Sequence, residues 1–241
     1  MEVTYQPVLV ALSVIVAILG SLTALALTSG WNGNQATWRA QITLANGGLM
    51  MGLTIWSMHF IAMMAVSLPI VVTYNLAETL TSVCIAIIAT GIGLYMASAR
   101  VLGVWSVPVG GLLMGLGIAG MHYTGMSAIR GCGLVYDPAL VGASVAIAIV
   151  ASMAALWFAF VRRGVLMTMA GGIVQGLAIA SMHYTAMAAT YFAPLSANVE
   201  FSAPAFPQNI IAWLIAFGVV LMSAANFTFV GLLSLQRGRP G

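Results

Sequence analysis

Gly110-Gly111-Leu112-Leu113-Met114-Gly115-Leu116-Gly117-Ile118-Ala119-Gly120-Met121-His122-Tyr123-Thr124-Gly125-Met126 decides the fold, because the chain carries it three times. The copy before it holds Gly47-Gly48, Gly52, Ile55, Met58-His59-Phe60 and Met63 in the same register. The copy after it holds Gly171-Gly172, Gly176, Ile179, Met182-His183-Tyr184-Thr185 and Met187. The histidines stand 63 and 61 residues apart, which is one helical hairpin per repeat. The intervening segments echo each other too: Ile85-Ala-Ile-Ile-Ala returns 62 residues on as Ile147-Ala-Ile-Val-Ala. The copies run in one direction, so the repeat is parallel and not inverted.

Each copy sits in an apolar run long enough to cross a bilayer, about 20 residues. Seven such runs are predicted: Pro7–Leu27, Leu44–Leu68, Glu78–Ala99, Trp105–Ile129, Ala139–Val161, Leu166–Tyr191 and Asn209–Leu235. The expected fold is therefore an all-α membrane protein, a seven-helix bundle of three parallel two-helix repeats plus one extra helix, forming a single domain over residues 1–241. Composition agrees. Of the 241 residues, 62% are apolar and 5% charged, with mean hydropathy +1.08, where a soluble domain is about a quarter charged. The runs lack the alternation of a membrane barrel. No basic segment precedes the first run, so a cleaved signal peptide is not expected. Seven scattered arginines and no lysine make no footprint for nucleic acid.

The charges predict orientation. Arg39, Arg100, Arg162, Arg163, Arg237 and Arg239 fall on one side of the seven runs, and Arg130 on the other with Glu2, Glu78, Asp137 and Glu200. The positive-inside rule then places the N-terminus outside and the C-terminus inside. The segment Phe192–Gln208, with Pro194, Pro204 and Pro207, is the longest outer loop and is not expected to be helical throughout.

Spans two, four and six run outward, and the histidines precede their predicted span ends by nine, seven and eight residues, about eight on average. At 1.5 Å per residue that depth is about 12–14 Å below the outer boundary. At 100° per residue, positions −11, −7, −4, 0 and +4 from each histidine fall within roughly ±40° of one line. One stripe thus carries Gly48, Gly52, Ile55, His59 and Met63; the next Gly111, Gly115, Ile118, His122 and Met126; the third Gly172, Gly176, Ile179, His183 and Met187. The glycines, spaced i and i+4, are packing positions that let backbones approach in lipid. They turn the stripe, and with it His and Met, toward other helices.

A lone histidine in a membrane helix is usually a hydrogen-bonded structural group. Three at one depth and on equivalent faces point to a shared metal site. No carboxylate lies in the repeat, which disfavours magnesium, calcium and manganese. Imidazole suits zinc, copper, iron or nickel, and thioether favours copper, Cu(I) above all. Six repeated methionines therefore point to copper, with zinc next. Met63, Met126 and Met187 share the histidine face; Met58, Met121 and Met182 lie about 100° to its side. Tyr123 and Tyr184 offer hydroxyls to the surroundings of the ligands, which Phe60 cannot. Cys84 and Cys132 are open to pairing, soft-metal ligation or neither.

Met121-His122-Tyr123-Thr124 and Met182-His183-Tyr184-Thr185 spell the motif of the MHYT domain, and Met58-His59-Phe60-Ile61 resembles a degenerate copy. The resemblance covers roughly residues 8–235. It implies a bacterial integral-membrane sensor module of the inner membrane. In that family the Met and His of each motif are proposed to hold copper, and the domain to detect oxygen, carbon monoxide or nitric oxide. Many members are fused to cytoplasmic output domains. The resemblance implies His59, His122 and His183 as ligands with Met58, Met121 and Met182 as motif partners.

Besides a copper-binding sensor on the outer side of the membrane, two other functions fit the residues. A tri-histidine zinc or copper centre with an open position can activate water or oxygen, given Glu78, Asp137 or Glu200 as base. A copper transporter would need donors continuing inward, where the runs offer glycines and only Asn46, Gln175 and Asn226. Haem, a planar ring, suits three equivalent ligand helices less well than a bare ion.

Overall fold

A computed structural model describes residues 3–29, 38–70, 72–99, 102–161, 164–194, 205–207, 215 and 218. Among these described residues are six helices long and apolar enough to cross a membrane: α1 (Pro7–Ser29), α2 (Trp38–Met64), α3 (Leu76–Ala99), α4 (Ser106–Ser127), α5 (Pro138–Leu156) and α6 (Val165–Ala188). A 3₁₀ turn at Gly103–Trp105 leads into α4, and a π turn at Trp157–Val161 extends α5. The seventh predicted span lies outside the described residues apart from Ile215 and Gly218, and so do Glu2, Glu200 and every same-side arginine except Arg39.

The starts of these helices are written in local chemistry. Pro7 and Pro138 occupy first-turn positions, where a missing N–H costs nothing. Asp137 caps α5, its Oδ1 accepting from the amides of Ala139 at 2.8 Å and Leu140 at 3.3 Å. Asn75 Oδ1 accepts from the amide of Glu78 at 3.2 Å and caps α3 in the same way.

Short strands join the helices at one end of the bundle. β1 (Thr4–Tyr5) pairs antiparallel with β2 (Val66–Ser67), Thr4 opposite Ser67. β3 (Thr73–Asn75) lies between β4 (Ile129–Arg130) and β7 (Ala205–Pro207). β5 (Cys132–Tyr136) pairs with β6 (Thr190–Pro194) over five residues. These strands correct the expected spans. α2, α4 and α6 stop at Met64, Ser127 and Ala188 and not at Leu68, Ile129 and Tyr191. Most of the lost residues are apolar, as in a continuing helix, but Val66, Ile129 and Tyr191 pair with other strands. Each histidine is consequently five residues from its helix end, about 7.5 Å and not 12–14 Å.

The helices pack as a closed ring in chain order, α1 against α2 and on to α6, which returns to α1. The histidine-bearing helices α2, α4 and α6 also touch one another across the ring. Glycine doublets seat each of them between two neighbours. Gly47 faces Thr28 of α1 while Gly48 faces Gly91 of α3; Gly110 faces Gly93 of α3 while Gly111 faces Met153 of α5; Gly171 faces Ala155 of α5 while Gly172 faces Leu22 of α1. Gly52 and Gly115 continue the contact against the backbones of Ile87 and Ile149, and Gly176 against that of Ile18. Without a hydrophobic drive between helices in lipid, this close approach is what makes van der Waals packing strong enough to hold them.

Candidate metal centre

The rings of His59, His122 and His183 meet on the ring axis, each fully buried. They stand nearly perpendicular to one another, at 74–84°, with centroids 4.9–5.2 Å apart. Their Nδ1 atoms form an almost equilateral triangle: 3.1 Å from His122 to His59, 3.2 Å from His59 to His183 and 3.2 Å from His183 to His122. All three Nε2 atoms are buried without a hydrogen-bond partner.

That triangle cannot be satisfied by hydrogen bonds alone. A neutral imidazole nitrogen is either a donor or an acceptor. Three mutually adjacent groups cannot alternate, so at least one edge sets like against like. A cation held by the three Nδ1 atoms would remove the conflict, since each Nδ1 would offer a lone pair and the imidazole proton would sit on Nε2. The triangle's centre lies about 1.8 Å from each nitrogen, the side divided by √3, so the three Nδ1 atoms could hold an ion near the 2.0–2.1 Å typical of zinc–imidazole bonds. Among the described residues, these three histidines are the group of His, Cys, Asp or Glu side chains placed to hold an ion.

The methionines flank the triangle in two layers. Met58, Met121 and Met182 are buried in the core that also contains Ile55, Ile118 and Ile179. Met63, Met126 and Met187 are buried in a second cluster beneath the strands, with Phe60, Tyr74 and Phe192. Thioethers thus occupy the level just inside the histidines and the level just outside them.

The residue after each histidine lies edge-on to its ring: Phe60 at 4.9 Å, Tyr123 at 5.0 Å and Tyr184 at 5.0 Å between centroids. The tyrosine hydroxyls do not turn to the imidazoles. Tyr123 Oη bonds Ser144 Oγ of α5 at 2.8 Å, and Tyr184 Oη bonds Ser13 Oγ of α1 at 2.9 Å. In the first copy Trp56 donates its indole N–H to Ser82 Oγ of α3 at 3.1 Å, and its ring packs 4.8 Å from Phe60. The three serines are fully buried, and no motif in the sequence marks them. None marks Gly125 either, where an added methyl group would stand 2.6 Å from Nε2 of His59.

The other candidates are engaged elsewhere. Asp137 caps α5, and Glu78 pairs with Arg130 at 2.9 Å. Cys84 is exposed and Cys132 buried, each a free thiol. In the strands, burial raises the Cys132 thiol and pushes Tyr136 up to about 12, with Tyr123 and Cys132 adding to the latter.

The profile of a family described as "Bacterial signalling protein N terminal repeat" matches residues 1–41, 52–111 and 115–172. The chain belongs to the MHYT family. It is 45% identical over 199 residues to the bifunctional diguanylate cyclase/cyclic di-GMP phosphodiesterase MucR of Pseudomonas aeruginosa, covering 78% of this chain and 28% of the relative. It is 33% identical over 227 residues to the signaling protein YkoW of Bacillus subtilis, covering 90% and 28%. It is 36% identical over 219 residues to the cyclic di-GMP phosphodiesterase NbdA of Pseudomonas aeruginosa, covering 88% and 28%. The chain therefore spans little more than a quarter of these relatives. No solved structure matches it.

Proposed function

We propose that the chain is a copper-binding sensor module of the bacterial inner membrane. It detects oxygen, carbon monoxide, nitric oxide or copper itself at His59, His122 and His183, and signals to a cytoplasmic output domain or partner. The observation that carries this is the triangle of buried Nδ1 atoms with sides of 3.1–3.2 Å. The full arrangement is seven spans, three parallel repeats plus one helix, with the N-terminus and metal site on the periplasmic side and the C-terminus inside. The names of MucR and NbdA support a cyclic di-GMP output in those proteins, which are much longer than this chain.

Charge favours copper(I) over zinc. The site has three neutral ligands and, among the described residues, no carboxylate beside them. An ion in such surroundings keeps its whole charge. Moving one unit charge into a medium of low dielectric costs on the order of 20 kcal/mol before relaxation and ligation, and the Born cost grows as the square of the charge. A monovalent ion therefore loses far less than a divalent one. The methionine layers on either side match the soft ion. Met63, Met126 and Met187 are its additional donors or its entry path, and Met58, Met121 and Met182 its inner lining. An ion held by three nitrogens would keep a further coordination position for a diatomic ligand.

The two other functions fit less well. A hydrolase needs a base beside the metal, and Glu78 and Asp137 already hold an ion pair and a helix cap. A transporter needs donors on the inner side, where Ile55, Ile118 and Ile179 are buried one turn below the histidines. The test is anaerobic reconstitution of the whole chain with Cu(I) and with Zn(II). One tightly bound copper per chain, lost in His122→Ala, is expected. Binding that survives His122→Ala, or zinc displacing copper, would overturn the assignment.

A further inference from the structure

We propose that Ser13, Ser82 and Ser144 are positioning residues for the histidine triad. Each fixes the rotation of one histidine helix by accepting a hydrogen bond from a side chain beside that histidine. The proposal rests on the triad being the functional centre. It adds a set of residues on the other three helices, none of which carries a motif.

Each serine hydroxyl has its own hydrogen committed. Ser13, Ser82 and Ser144 donate to the carbonyls of Val10, Thr79 and Val141, three residues back, at 2.7 Å in every case. Their oxygens are thus left to accept. Tyr184, Trp56 and Tyr123 supply the donors, at 2.9, 3.1 and 2.8 Å. In each pair the serine helix is the one whose backbone also meets the second glycine of the doublet: α1 for α6, α3 for α2 and α5 for α4. Every histidine helix is therefore pinned to the same neighbour at two depths, by glycine contact at one level and by a hydroxyl at the histidine level. Two attachment points on one helix fix its rotation, and rotation is what aims the imidazole.

The first copy argues that the bond itself is what is kept. Phe60 has no hydroxyl to offer Ser82. Trp56, three residues before His59, takes the serine, while the matching positions in the other copies are Ala119 and Ala180. Tyrosine with alanine has been exchanged for phenylalanine with tryptophan, and the acceptor serine stays. An unspecific packing role would not need a donor aimed at the same oxygen from a different residue.

The chain has three histidines, so imidazole nitrogen NMR of the metal-free protein gives one set of signals per ligand. Ser82→Ala is expected to move the His59 signals more than those of His122 and His183, and to weaken Cu(I) binding about tenfold, as loss of an outer partner of a metal ligand does. Trp56→Ala should do the same. Trp56→Ala combined with Phe60→Tyr should return the His59 signals and bring affinity within about twofold of the parent. Should Ser82→Ala not fold, Trp56→Phe removes the donor with little change of shape and carries the same expectation. Unmoved His59 signals in the folded variant, or a double variant no better than Trp56→Ala, would overturn the positioning role. Absence of metal binding by the parent chain would instead defeat the metal assignment, and the metal-free spectra would still decide the role of the serines.

Discussion

At the residue scale, the histidines are legible in the sequence because each is an ionisable group in an otherwise apolar run. Their convergence follows from the repeat, since equal registers on equivalent helices put equal residues at one level. Ser13, Ser82 and Ser144 are not legible. A serine in a membrane helix usually bonds back to its own backbone, and these do, so nothing local announces the second bond. The partner of Ser13 is 171 residues away. Gly125 is hidden for a similar reason, because the other copies carry Ala62 and Ala186 at its position. Its lack of a side chain makes room for the His59 ring. Gly125→Ala is therefore expected to displace that ring and lower Cu(I) affinity about tenfold, measured by competition with a chelator of known strength, while thermal unfolding stays close to the parent's.

At the element scale, the glycines separate close-packed faces from open ones. A methyl group on Gly115 would stand 2.5 Å from Cα of Ile149, whereas one on Gly142 meets nothing within 4 Å. Gly115→Val should cost about 3 kcal/mol through overpacking, and Gly142→Ala should raise stability by about 0.5–1 kcal/mol through helix propensity, both read from denaturation in mixed micelles. The starts of α1 and α5 are legible at Pro7 and at Asp137-Pro138, but the start of α2, at Trp38 and not Leu44, and the ends of α2, α4 and α6 are not. Val66, Ile129 and Tyr191 extend the hydropathy of a helix while pairing as strands, a long-range choice that no window of sequence contains. Those strands also set an alkaline limit. Tyr136 titrates near 12 when folded, above the ordinary tyrosine value near 10. Its contribution is fully present below pH 10 and is lost as pH rises from about 10 to 12, because the unfolded chain gives up the proton first. Tyrosinate absorbance and unfolding followed over that interval check it: stability should fall there, and Tyr136→Phe should reduce the fall.

At the scale of the whole molecule, the six helices among the described residues close a ring in which α6 packs against α1. The repeat in the sequence leaves open which helix packs beside α6. The answer depends on a contact between the two ends of the ring, which hydropathy does not encode. Arginine placement predicts that the strand end faces the periplasm. In a background without Cys84 and Cys132, Val135→Cys should react with an impermeant thiol reagent in intact cells, and Val104→Cys only after permeabilisation; both positions are exposed. In the proposed function one ion is shared by three imidazoles from three helices. X-ray absorption of the copper-loaded chain tests it most directly. Three nitrogen neighbours at about 2.0 Å with multiple scattering from three imidazole rings are expected; a shell made of sulfur alone, or fewer than three imidazoles, would contradict it.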